Sequence, residues 1–192
     1  MDKGAEYYAA YLSGDVSGLE KIVDTYKDGL ILFLNGYVHD IYTAEDLCED
    51  TFFRLMVKRP HYDGSTSFKT WLYGIGKRLA FNFIKRNKKI TFSDEEETAR
   101  HADLYSLEET YIKTERHAIL RDCINRLPDG ERALIWLTYF EDVSVKDAAK
   151  IYGKTENAVS AKLFRIRKKL AEMLNERGYG NENDSDDDAK SE

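Results

Sequence analysis

The sequence predicts an all-α protein: two small helical domains joined by an acidic linker, the second ending in a helix-turn-helix. Three observations predict it. The 192 residues hold only 2 prolines and 12 glycines, and apolar residues recur at three- and four-residue spacing almost throughout. Residues 143–170 read VSVKDAAKIYGKTENAVSAKLFRIRKKL, a short helix, a tight turn at Gly153 and a long basic helix. Charge is segregated into two basic blocks with an acidic stretch between them.

The first domain spans 5–89. Residues 6–12 make a short amphipathic start. Asp15 and Ser17 precede a second helix whose apolar seam is Leu19, Ile22, Val23, Tyr26 and Leu30. Thr43 is the expected cap of a third helix, with Asp46 at the reciprocal position. Its seam is Leu47, Thr51, Phe52, Leu55 and Met56. Pro60 and Asp63-Gly64 close it in a loop. A fourth helix runs from Ser67 or Phe68 to Asn87. Within it, Leu72, Ile75, Leu79 and Phe83 share a face. Gly74 and Gly76 each cost about 0.8–1.0 kcal/mol there relative to Ala. They mark a close backbone approach, either to DNA or to a neighbouring helix.

Residues 90–110 read as the linker: acidic and without periodicity. The second domain covers 111–178, with helices over 118–127 and 131–140 flanking Pro128-Asp129-Gly130. Residues 179–192 form an acidic tail expected to be disordered.

In the helix-turn-helix, Ser144 and Asp147 suit the start of the first helix, and Thr155 caps the second. Val159, Leu163, Ile166 and Leu170 make one buried seam. At about 3.6 residues per turn, Asn157, Ser160, Ala161, Phe164, Arg165 and Lys168 lie opposite, flanked by Lys162, Arg167 and Lys169. Such a face suits base edges at its centre and phosphates at its sides. A solvated basic face on an ordinary helical hairpin fits the same pattern.

The net charge of −6 argues against nucleic acid only until its distribution is read. Residues 69–89 carry Lys69, Lys77, Arg78, Lys85, Arg86, Lys88 and Lys89 and no acid, and residues 150–169 hold seven bases against Glu156 alone. Phe68, Trp71, Tyr73, Phe81 and Phe83 are interleaved with the first block, a pattern that suits single-stranded nucleic acid. Core packing of Phe83 and Trp71 is the competing reading.

Other classes fit poorly. His39, His61, His101 and His117 do not cluster, and no phosphate-cradling glycine loop occurs, so neither an enzyme nor a cofactor is expected. Cys48 and Cys123 lack metal-ligand spacing, and no hydrophobic signal peptide precedes them. A reduced, cytoplasmic protein is expected. The apolar run 30–34 is too short to span a membrane.

Four segments in order, 12–26, 43–55, 67–86 and 127–170, resemble bacterial RNA polymerase sigma factors of the extracytoplasmic-function (ECF) group. TAEDLCEDTFFRL at 43–55 is similar to the family's core-binding helix. SFKTWLYGIGKRLAFNFIKR at 67–86 is similar to its promoter-melting helix. The resemblance implies binding to core RNA polymerase, delivery to promoter DNA and help in strand separation. By position it implies polymerase contact for Asp46, Glu49, Asp50 and Phe53. It implies minus-ten recognition and melting for Tyr62, Asp63, Ser67, Trp71, Lys77, Arg78, Asn82, Lys85 and Arg86. It implies minus-thirty-five reading for Asn157, Ser160, Ala161, Lys162, Phe164, Arg165 and Lys168. The family often has an anti-sigma factor as a partner. Lys154 and Glu156 depart from its pattern, as do Gly74 and Gly76. A stand-alone helix-turn-helix regulator is the alternative; it gives no role to residues 46–50 or to the basic-aromatic block.

Overall fold

The computed structural model describes residues 2–91 and 115–179. Among these residues every regular element is a helix. The expected linker and acidic tail lie largely outside the described residues. Helices α1 (Lys3–Leu12), α2 (Ser17–Val38), α3 (Ile41–Lys58) and α4 (Phe68–Thr91) build the first unit. Helices α5 (Glu115–Asn125), α6 (Glu131–Ile135), α7 (Val145–Tyr152) and α8 (Glu156–Asn175) build the second, with a π-helical turn, Trp136–Phe140, continuing α6.

Local chemistry explains the boundaries. Asp2 caps α1, accepting from Gly4 N at 3.1 Å. Its second oxygen accepts from Phe68 N, so one carboxylate ties the starts of α1 and α4 together. α2 stops where His39 turns left-handed at φ 52°. The cap of α3 is Asp40 rather than Thr43: Asp40 Oδ2 accepts from Thr43 N at 3.0 Å and also from the Thr43 hydroxyl. A carboxylate satisfies the free N–H groups and adds a favourable charge at the positive helix end. The helix therefore begins before Thr43.

The two units do not stand apart. α2 packs on α6 and α4 packs on α7, and one core runs through both. The run Leu30-Ile31-Leu32-Phe33-Leu34 is at most 5 % exposed at every position. A helix apolar all round must be covered all round. Its own unit covers one side of α2, and the second unit covers another. Burying each such side chain stabilises by roughly 1.5–3 kcal/mol, against about 0.5–1.5 kcal/mol for one hydrogen bond. Apolar packing therefore dominates this junction.

Its closest point is Gly36. A Cβ there would stand 2.6 Å from Ala133 Cα, so α2 and α6 cross almost backbone to backbone. Gly130 N donates to Gly36 O at 3.0 Å across the junction. Gly76 likewise faces neighbouring helices, since a Cβ there would meet Leu30 at 3.1 Å, whereas Gly74 faces open space. Of the expected α3 seam, Met56 is the exception at 44 % exposed.

Candidate nucleic-acid interface

The helix-turn-helix forms as its caps dictate. Ser144 Oγ accepts from Asp147 N at 3.1 Å and donates to Asp147 Oδ2 at 2.8 Å, closing the start of α7. Gly153 takes φ 61°, a left-handed turn glycine reaches without strain. Lys154 N then donates to Ala149 O at 3.0 Å. Thr155 Oγ1 accepts from Ala158 N at 3.2 Å and opens α8. Val159, Leu163, Ile166 and Leu170 are buried, and so are Ala148 and Ala149, whose small side chains let α7 approach α8 closely.

The opposite face of α8 is open. Asn157, Ser160, Ala161, Phe164, Arg165 and Lys168 are all exposed, and Lys162 is half-buried at its edge. Phe164 is 63 % exposed and fills no core position. An apolar ring there can contact a thymine methyl, and Arg165 beside it can pair with guanine.

The basic face of α4 is divided. Arg78, Asn82, Lys85 and Arg86 are exposed along one side. Trp71 is half-buried, within 5.4 Å of the rings of Tyr8 and Phe68 and 5.2 Å of Tyr62. It closes the edge of an aromatic cluster. Lys77 is turned inward. Its ammonium donates to Ile151 O at 2.9 Å, at the carbonyl end of α7, where the helix dipole favours a cation. It also stands 4.8 Å from the centre of the Tyr152 ring. Burial pushes its pKa below the usual lysine range, and nearby Lys154 adds to the effect. Lys69 is likewise engaged, 2.7 Å from Glu141 Oε2.

The loop before α4 is tied largely to itself. Tyr62 donates to Thr66 O. Asp63 accepts from Ser65 N at 2.9 Å, a bond that holds its carboxyl below the ordinary range. Ser67 caps α4, its Oγ accepting from Thr70 N at 3.2 Å. An open cleft of about 440 Å³ lies between this loop, Trp71, Lys77 and the α7 end at Tyr152.

On α3, Asp46, Glu49 and Asp50 are exposed. Phe53 is 55 % exposed and Val57 50 %. With Val23, Phe52 and Met56, Phe53 lines an open groove of about 650 Å³ between α2 and α3. Acid beside exposed apolar surface is a docking chemistry, not a core chemistry. Sequence reasoning missed Met56 and Val57 here, although Val57 lies off the apolar seam. It also missed Tyr139 and Phe140, exposed at 52 % and 41 %.

Among the described residues no group of three or more His, Cys, Asp or Glu side chains could hold a metal ion. No helix of theirs is long and apolar enough to cross a membrane. Cys48 is buried, and burial pushes its thiol up to about 12, which makes it a poor nucleophile.

Comparison with known proteins decides the family. Residues 22–90 match Sigma-70 region 2, and residues 117–170 match Sigma-70, region 4. The chain belongs to the ECF group of sigma factors. It is 26% identical to ECF RNA polymerase sigma factor SigW of Bacillus subtilis over 170 residues, covering 84% of this chain and 91% of that protein. To SigM of the same organism it is 28% identical over 171 residues, covering 85% and 99%. The fold of this sigma factor is similar to that of RpoE from Bartonella quintana, solved with the anti-sigma factor NepR. That likeness has a TM-score of 0.66 at 21% identity, over 83% of this chain and 98% of that one. CnrH, solved with the cytosolic domain of CnrY, is similar at a TM-score of 0.65 and 21% identity, over 91% and 99%. This sigma factor is a transcription initiation factor that directs RNA polymerase to promoters. A stand-alone regulator is not favoured, because it has no use for a region 2 unit.

Proposed function

We propose that three surfaces of this sigma factor divide the work of initiation. Asp46, Glu49, Asp50 and Phe53 would dock on a basic and apolar surface of core RNA polymerase. Asn157, Ser160, Ala161, Lys162, Phe164, Arg165 and Lys168 would read the minus-thirty-five duplex. Tyr62, Asp63, Ser67, Trp71, Lys77, Arg78, Asn82, Lys85 and Arg86 would engage the minus-ten element and its separated strand. The domains would be 5–89 and 111–178, joined by an acidic linker over 90–110 and followed by an acidic tail from 179.

The observation that carries this reading is the open face of α8, where an exposed aromatic and an exposed arginine stand side by side on a helix-turn-helix. Each good bidentate base contact there contributes about 1–3 kcal/mol of discrimination. On α4, exposed cations would track phosphates while aromatic groups meet unpaired bases. Ser67 and Tyr62 would act by shaping the loop as much as by touching DNA, since their hydroxyls are already bonded. The protein would work in the cytoplasm without catalysing a reaction of its own. An anti-sigma factor is a further proposed partner, by likeness to the two complexes above.

The test is run-off transcription with core polymerase, with and without this protein, beside a pull-down of core enzyme. Promoter-dependent product, lost together with core binding in a D46K/E49K variant, is expected. Absence of both product and core binding with the native chain would refute the assignment.

A further inference from the structure

We propose that the acidic segment following α8, residues 180–192, docks on the outward face of α8 itself and competes there with DNA phosphates. The inference rests on the reading of α8 as a duplex-reading helix and adds an occupant for that face.

The two charge runs match. From Asn157 to Ala171 the helix holds five cations and no acid. Arg165, Arg167, Lys168 and Lys169 are exposed, and Lys162 is half-buried at the edge. Among the described residues none of the five forms an ion pair, so their charge is uncompensated. Residues 180–192 read GNENDSDDDAKSE, six acids against Lys190, with Ala189 as the one apolar side chain. Such a segment has nothing to bury in a core. It fits a basic surface through charge complementarity.

The end of α8 starts the return. Gly178 takes φ 79°, and Tyr179 N donates across the turn to Leu174 O at 2.9 Å. This left-handed ending bends the chain off the helix axis. Arg177 pins the turn, 2.5 Å from Asp122 on α5. Tyr179 therefore stands beside Leu174, and Arg165 lies about 14 Å back along the helix at about 1.5 Å per residue. Asp184 to Asp188 come five to nine residues after Tyr179. An extended chain spans about 3.3–3.6 Å per residue, so each of these carboxylates can reach the cations from Arg165 to Lys169.

Single exposed ion pairs are weak and screened by salt. A short tether changes the balance, because it holds the carboxylates near the helix at about millimolar effective concentration. Phosphates need the same cations, so duplex DNA must displace the segment. Base-edge contacts by Ser160 and Phe164 carry no charge and are not contested. The segment thus weakens indiscriminate binding, which rests on phosphates, more than reading of a preferred sequence.

The test compares the full native chain with a full-length D184N/D186N/D187N/D188N variant. The first readout is zero-length carbodiimide cross-linking of the native chain at low protein concentration, mapped by mass spectrometry. Within monomers, the four aspartates should couple to Lys168 and Lys169 at least about tenfold more often than to Lys85, exposed on α4, through their higher effective concentration. Equal coupling to Lys85 would overturn the docking, and so would coupling found only in dimers, which would make the occupant a second copy. The second readout is anisotropy of a fluorescein-labelled duplex of mixed sequence. The variant should bind about 3- to 30-fold more tightly at about 0.05 M salt, with the gain falling below about twofold near 0.3 M. Equal binding by both proteins at low salt would overturn the competition. If neither protein binds duplex while the cross-links to α8 are found, the competition falls with the reading of α8 and the docking stands.

Discussion

The two basic surfaces of this molecule are built alike and presented differently. Both sit on long amphipathic helices with a buried aliphatic seam and cations opposite. On α8 the whole outward face is open, from Asn157 to Lys168. On α4 the cations split: Arg78, Lys85 and Arg86 reach solvent, while Lys69 and Lys77 are bonded into the second unit. A basic helix is thus not by itself a free nucleic-acid surface. What its neighbours bring, here Glu141 and the carbonyl end of α7, decides how much of its charge is available.

The largest test of this contrast is of the junction that creates it. Leu34→Ala should cost about 2–5 kcal/mol, and both units should lose stability together. Trp71 and Trp136 lie one in each unit, so Trp71→Phe and Trp136→Phe proteins give a fluorescent probe for either. Coincident urea transitions are expected; separate midpoints would show that the units unfold independently and would break the comparison.

Next in size is the open face. Arg165→Ala should weaken discrimination at one base pair by about 1–3 kcal/mol in duplex-binding titrations, with no change in urea midpoint. A loss spread evenly over all sequences would demote Arg165 to a phosphate contact.

A third test compares cations within α4. Lys85→Ala should lower the salt slope of single-stranded DNA binding by about 0.7–1. Lys77→Ala should lower it less in the free chain, because that ammonium is occupied. Equal changes would show that both cations are equally available to DNA.

The smallest effect near neutrality is the titration of buried groups in the first unit. Burial pushes Tyr8 and Tyr26 up to about 12 from 10.0, and Cys48 up to about 12 from 9.0. Their contribution to stability is complete below the unfolded values and is lost as pH rises toward the folded ones. The urea midpoint should therefore hold up to pH about 9 and fall between about 9 and 12. A flat profile through that range would show that these groups ionise equally in both states.

Much of both surfaces was legible before the fold. The α8 face followed from spacing alone, because seam and outward positions are set by the helical period and by the Thr155 cap. The α3 acids were legible from position, and Phe53 from the resemblance. Lys77 and Lys69 were readable as cations but not as engaged ones. Thr43 was a sound cap by type, yet Asp40 stood nearby with a better one. Tyr62 and Ser67 lie in the loop before α4, as expected, but their hydroxyls are bonded to local partners that only coordinates reveal.

Local sequence carries the helices, the caps and buried seam of the helix-turn-helix, and the separation of charge. These are local properties: they depend on residues within about one or two turns of each other, which periodicity and capping rules read directly. Long-range packing sets the rest: α2 is covered on both sides, Gly36 meets Ala133, and Glu141 reaches Lys69 and Tyr73. These contacts join residues far apart in the chain, and no local period encodes them. The run at 30–34 was the one local trace of that junction: five consecutive apolar residues leave a helix no face to show to water.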